Sequence, residues 1–187
     1  MTNLTRYQVE LRAELRGDTL VGHAAVFGSR ARIRNGWETV ERSAFDAVLT
    51  RPGTDVRALI NHDASLLLGR QSAGTLRLST DSEGLPFEVD LPATSYANDL
   101  RVLVERGDLD GASFGFVPGE DKLTRASDGR TLRTHTAVRE LVDVSAVTYP
   151  AYDGAAVMLR SWQPSLDQRS QYILARHRAR IAGGNTP

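Results

Sequence analysis

The chain has 187 residues, enough for one domain with a sizeable buried core but too few for two full domains. Lys and Arg together number 23, as do Asp and Glu, so the formal net charge is zero and no general attraction to nucleic acid or to an anionic membrane is predicted. The absence of cysteine excludes disulfides, thiolate metal sites and a cysteine nucleophile.

The N-terminal third alternates apolar and polar residues with a period of two, a pattern that predicts strands. The first predicted strand covers residues 7–15, Gly17 and Asp18 form a tight turn, and the second strand covers residues 20–27. A short helix capped by Ser43 follows, and Pro52 with the next glycine ends it.

The middle of the chain contains further strand candidates and one clear helix. Strands are predicted at residues 56–62, 74–79 and 86–91. Within residues 92–107 the apolar side chains recur three and four positions apart, which indicates an amphipathic helix, with Thr94 or Ser95 as its cap and a glycine after its last turn.

Three apolar segments after this helix are typical of strands. They cover residues 112–117, 131–138 and 141–149. The elements together predict a mainly β fold with helices, of the α+β class, and we expect its strands to form an antiparallel β-barrel flanked by helices.

Pro150, Pro164 and the polar stretch between them predict a domain boundary near residue 160. Residues 1–160 would form the β domain and residues 161–187 a helical tail. In the tail, Ser165 and Gln168 form a plausible capping box for an amphipathic helix with an arginine-bearing face.

Ser113 is the first candidate catalytic residue. Its segment, Asp-Gly-Ala-Ser-Phe-Gly-Phe at residues 110–116, formally matches the nucleophile elbow of α/β-hydrolases. That elbow requires a helix after the serine, whereas Phe-Gly-Phe-Val-Pro continues or ends a strand. In a strand, Phe114 and Phe116 would anchor the core and Ser113 would face outward beside glycines that leave room for a substrate backbone. A small residue on a tightly packed strand explains the segment as well.

A serine nucleophile needs a base and a group that orients the base. His62 lies in Asn-His-Asp, where an apolar strand ends in a polar corner, and a turn histidine bonded to backbone is the alternative interpretation. Asp143 is a carboxylate within an apolar strand, which is costly unless it is paired. It is the first candidate for the orienting group, ahead of His135 and Glu140; a structural salt bridge to an arginine is the alternative. No His-Glu-X-X-His pair is present, and a metal site is not predicted.

Taken in order, several segments between residues 20 and 160 resemble the prohead serine proteases of tailed bacteriophages. That family also occurs in gene transfer agents and is related in fold to the herpesvirus assembly proteases. The matching segments are residues 22–27, 41–45, 58–63, 68–69, 72–78, 84–92, 107–108, 111–116 and 141–152.

The resemblance implies a β-barrel with the nucleophile on a barrel strand, and no cofactor. It matches His62 and Ser113 to the histidine and serine of the family. The third member stays open, because the phage family typically has glutamate where this chain has Asp143, and His135 follows Ser113 at a spacing like that of the second histidine of the herpesvirus enzymes.

The function implied by the resemblance is cleavage of scaffold and of the scaffold-like segment of the major capsid protein, followed by self-cleavage. We expect this to occur inside the immature capsid, in the cytoplasm of the bacterial host. No signal peptide or membrane span is predicted. The sequence leaves a homo-oligomer open. The alternative function is a non-enzymatic capsid-assembly or scaffold protein that keeps the protease fold; a nucleic-acid-binding barrel is a third hypothesis, disfavoured by the zero net charge.

Overall fold

The computed structural model describes residues 5–9, 13–33 and 36–148. The predicted helical tail and the domain boundary near residue 160 lie outside these residues. The described strands are β1 (Thr5–Val9), β2 (Glu14–Arg16), β3 (Thr19–Val26), β4 (Ala31–Ile33), β5 (Gly36–Val40), β6 (Arg57–Ile60), β7 (Asp63–Arg70), β8 (Leu76–Leu78), β9 (Gly84–Asp90), β10 (Gly111–Pro118), β11 (Asp121–Arg125), β12 (Thr131–His135) and β13 (Val138–Val147). The helices are α1 (Asp46–Thr50), which follows a 3-10 turn at Arg42–Phe45, and α2 (Ser95–Glu105).

The largest sheet has five strands in the order β1-β10-β13-β6-β7. Strand β10 pairs antiparallel with both of its neighbours, β1 and β13, whereas β13 and β6 are parallel. Seven of the eight residues of β10 are buried. Its sequence of small and apolar residues suits a strand with neighbours on both edges and cover on both faces.

Two four-stranded sheets complete the β structure, in the orders β11-β12-β5-β4 and β2-β3-β9-β8. The prediction of a mainly β fold with helices is confirmed. The closed antiparallel barrel is not, because within the described part of the chain the strands divide into three open sheets. Alternating hydrophobicity identifies strands and their buried faces, but it does not determine which strand lies beside which.

Helix α2 is confirmed close to its predicted bounds. Thr94 is its N-cap, and Ala97 and Leu100 are its buried residues. At the C-terminal end Gly107 has φ 73°, and two backbone bonds, from the Gly107 N–H to Val104 O and from the Asp108 N–H to Leu103 O, close a Schellman motif. The short helix predicted near Ser43 is present as the 3-10 turn and α1, but Ser43 is not its cap, because it lies inside the 3-10 turn and the N-cap positions are Glu41 and Phe45.

Four strands were not predicted: β4, β5, β7 and β11. The predicted first strand, residues 7–15, is also wrong in extent, because Ala13 lies outside any strand and a separate strand, β2, begins at Glu14. Among the described residues no helix combines the length and apolar character needed to cross a membrane.

Candidate active site

Ser113 lies near the middle of β10. In the register of the sheet it is opposite Gln8 of β1 on one side and Ser145 of β13 on the other. The rings of Phe114 and Phe116 stack with centroids 5.0 Å apart. The expectation that Ser113 faces outward is wrong, since the residue is 0% exposed. Both faces of β10 are covered, so the alternation of side chains between its two faces does not separate a solvent side from a core side.

His62 lies in a two-residue turn that joins β6 to β7. Ile60 pairs directly with Asp63, and the two residues between them, Asn61 and His62, have φ angles of 52° and 59°. Positive φ at both central residues is what a type I′ hairpin turn requires. In this turn the imidazole is buried, and the His62 side chain is 1% exposed.

Asp143 lies on β13, one strand away from β6, and its side chain is 3% exposed. The structure brings the carboxylate, the imidazole and the serine hydroxyl together. His62 Nδ1 is 2.5 Å from Asp143 Oδ1, and His62 Nε2 is 2.8 Å from Ser113 Oγ. In the tautomer with the proton on Nδ1, His62 donates to the Asp143 carboxylate and its Nε2 can accept from the Ser113 hydroxyl.

Ser145 is a polar contact of the site that was not predicted. Its hydroxyl donates to Asp143 Oδ1 at 2.7 Å, the same oxygen that faces His62, and the residue is 1% exposed. Residues two apart on a strand point to the same face. That spacing was the available signal, because it places the Ser145 hydroxyl beside any carboxylate at position 143.

The two other candidates for the orienting group have different surroundings. His135 is buried at the end of β12, where its Nδ1 lies 2.5 Å from Asp121 Oδ1. Its ring packs edge-on against Phe116 at 5.2 Å. Glu140 is exposed on β13 and pairs with Val117. The carboxylate that meets His62 Nδ1 is that of Asp143.

The arrangement provides a hydroxyl with a hydrogen-bonded base and a carboxylate behind the base, the three parts of nucleophilic catalysis at a carbonyl. Burial lowers the local dielectric, so the carboxylate stabilises an imidazolium more strongly than it would in water. Within residues 5–9, 13–33 and 36–148, no group of three or more His, Cys, Asp or Glu side chains is arranged to hold a metal ion.

A sequence model of the family described as caudovirus prohead serine protease matches residues 6–168. The chain belongs to this family. The match covers all the segments on which the resemblance was based, and it extends beyond them at both ends.

The name of one curated relative agrees with this family. The prohead protease of Enterobacteria phage HK97 is 28% identical over 138 residues, which are 73% of this chain and 57% of that protein. The chain therefore spans a little over half the length of this curated relative. A solved structure of the bacteriophage T4 capsid assembly protease is 12% identical, with a TM-score of 0.42, and the match covers 79% of this chain and 97% of that one.

Proposed function

We propose that this protein is a serine endopeptidase in which Ser113 is the nucleophile and His62 is the general base. Asp143 orients the imidazole of His62 and stabilises its protonated form. The observation that carries the proposal is the position of the imidazole, with Nε2 2.8 Å from the Ser113 hydroxyl and Nδ1 2.5 Å from the Asp143 carboxylate. Membership of a prohead protease family supports peptide bonds as the substrate class.

Acylation would begin with attack of Ser113 Oγ on the scissile carbonyl carbon. As the new C–O bond forms, His62 Nε2 takes the hydroxyl proton and the carbonyl electrons move to oxygen. The tetrahedral intermediate then collapses. The C–N bond breaks, the imidazolium returns its proton to the departing amine, and the acyl group stays on Ser113.

Deacylation repeats these steps with water. His62 takes a proton from the water that attacks the ester, and then returns it to Ser113 Oγ as the new carboxyl end leaves. Asp143 stays ionised throughout. It holds the Nδ1 proton, fixes the tautomer and stabilises the imidazolium, while the hydroxyl of Ser145 keeps the carboxylate oxygen in place.

The proposed substrates are the scaffold and the scaffold-like segment of the major capsid protein, cleaved inside the immature capsid in the bacterial host, with self-cleavage afterwards. The family and the name of the HK97 relative support this role. The likeness in fold to the herpesvirus assembly proteases stays a prediction.

A non-enzymatic assembly protein with the same fold is the alternative, and it predicts His62 and Ser113 side chains beyond hydrogen-bonding reach. The separation of 2.8 Å disfavours it. A degenerate site also gains nothing by keeping a carboxylate and an imidazole buried together, since desolvation of both is costly.

The test is production of the full chain together with the major capsid protein of the same phage. We expect the wild type to cleave the capsid protein and Ser113→Ala to leave it intact, since removal of the nucleophile lowers the rate of cleavage by several orders of magnitude. Ser43→Ala, a change at an exposed serine of the 3-10 turn, is the matched control and should cleave normally. Cleavage that persists in Ser113→Ala would show that another residue is the nucleophile.

A further inference from the structure

We infer that Asn61 is a positioning residue for the reaction. It lies in the same turn as His62, and its hydrogen bonds attach this turn to β13, the strand of Asp143, and to the residue that follows it. This inference rests on the proposed function. It concerns a residue that takes no part in proton transfer and lies next to the base in the sequence.

Three hydrogen bonds connect Asn61 to β13 and the residue after it. The Asn61 N–H donates to Ala146 O at 2.8 Å, which extends the parallel pairing of β6 and β13 beyond the end of β6. The side chain makes the other two. Its Oδ1 accepts from the Thr148 N–H at 3.0 Å, and its Nδ2 donates to Thr148 Oγ1 at 3.2 Å.

The turn needs such support because of its backbone. Asn61 and His62 both have positive φ, a region that is unfavourable for residues with a Cβ and least so for asparagine and aspartate. Histidine is also found there more often than most residues, but two consecutive residues with a Cβ in this region still need their surroundings to hold them. Asparagine at position 61 both accepts the turn conformation and provides the side-chain contacts to Thr148.

The consequence for chemistry is geometric. Asp143 and Thr148 belong to one continuous stretch of chain, whereas His62 is in the turn of the hairpin formed by β6 and β7. The contacts of Asn61 attach this turn to Ala146 and Thr148 on the same stretch of chain as Asp143, and so maintain Nε2 and Nδ1 at their short distances from Ser113 and Asp143. Small misplacements of a base reduce the rate of the chemical step more than they weaken substrate binding.

Asn61→Gly is the informative variant, because glycine accepts positive φ and therefore keeps the turn while both side-chain contacts are lost. We expect kcat to fall about 10-fold with KM within about twofold of the wild type. Asn61→Asp should stay within about threefold, since aspartate tolerates the same φ and its carboxylate can accept from both the N–H and the hydroxyl of Thr148. Thr148→Val removes the hydroxyl contact alone, and we expect an intermediate loss.

The assay uses the full chain and a peptide that spans a junction mapped in the wild-type reaction, with thermal unfolding measured for every variant. A positioning role predicts a kcat loss in Asn61→Gly that persists at temperatures well below its unfolding midpoint, together with rescue by aspartate. A kcat equal to that of the wild type, or a loss that only follows the unfolded fraction, would overturn the inference. Ser113→Ala separates the two proposals: if it still cleaves, the proposed function fails, whereas an inactive Ser113→Ala with a fully active Asn61→Gly refutes only the role of Asn61.

Discussion

At the scale of single residues, the site depends on how closely Asp143 approaches the imidazole. The family resemblance implies glutamate at this position, with a longer reach. The distance of 2.5 Å between Asp143 Oδ1 and His62 Nδ1 shows that the aspartate reaches without the additional methylene. The Ser145 hydroxyl approaches the same oxygen, so the carboxylate is held from two sides.

Asp143→Asn should reduce the rate of peptide cleavage by about 10³- to 10⁴-fold. The amide has almost the same shape, but it carries no charge to stabilise the imidazolium, and it offers an N–H donor where the tautomer of His62 requires an acceptor. The measurement is kcat on a mapped junction peptide, with circular dichroism to establish that the variant is folded. A folded variant with activity within 10-fold of the wild type would remove Asp143 from the mechanism.

The sequence predicted His62, Ser113 and Asp143 as candidates, but it did not predict their partners Asn61 and Ser145. Each of the three candidates is a reactive or costly group in or at the end of an apolar segment, but it was the family resemblance that selected His62 and Ser113 over the structural alternatives. The contacts of Asn61 are to Thr148, 87 residues away, and no local pattern encodes such a pairing. Ser145 has a local signal, the spacing of two from Asp143, but that spacing becomes informative only when the carboxylate is known to be functional.

At the scale of elements, the strands that were not predicted show which sequence features are needed to recognise a strand. All residues of β11 are exposed, so the strand has no buried face and no alternation to detect. Strand β7 follows β6 through a turn of Asn61 and His62, which lacks the glycine that usually marks a type I′ hairpin. By contrast, α2 has a threonine at its N-cap position, buried apolar residues on one face and a glycine after its last turn, and its bounds were predictable.

The contribution of the turn between β8 and β9 to stability can be tested by varying the pH, because the turn is held by the carboxylate of Asp81. Asp81 Oδ1 accepts the N–H groups of Glu83 and Gly84, and Oδ2 lies 2.8 Å from His23 Nε2 on β3. The contact with His23, followed by the N–H of Gly84, lowers the pKa of Asp81 from 3.8 to about 2. The carboxylate therefore stabilises the fold above about pH 4, and this contribution is lost as the pH falls through 2.

Asp81→Asn should lower the free energy of unfolding at pH 7 by about 1 kcal/mol, a value reduced for solvent screening because the Asp81 side chain is 42% exposed. Urea unfolding of both proteins between pH 7 and pH 2 measures the difference, which should shrink as the pH falls from 4 to 2. Asp99→Asn, at an exposed position of α2, is the control and should change the free energy by less than about 0.5 kcal/mol. A difference that stays constant down to pH 2 would contradict the ionic role of Asp81.

At the scale of the whole molecule, the candidate site is formed where three adjacent strands of the five-stranded sheet, β10, β13 and β6, lie side by side. Ser113, His62 and Asp143 come from β10, from the turn after β6 and from β13, which the chain order separates by 51 and 30 positions but which the sheet places side by side. All three residues are buried, at 0%, 4% and 2% exposure. Under the proposed function, a substrate carbonyl would reach Ser113 Oγ only after local displacement of the surrounding chain.

The most direct test of the central claim is chemical modification of the full chain with phenylmethanesulfonyl fluoride, a reagent small enough to enter through local opening, followed by peptide mass mapping. The account predicts sulfonylation at Ser113 in the wild type, at a rate at least about 100-fold lower in His62→Ala because the base is absent. Modification at a different serine, or at Ser113 with equal rates in both proteins, would contradict it.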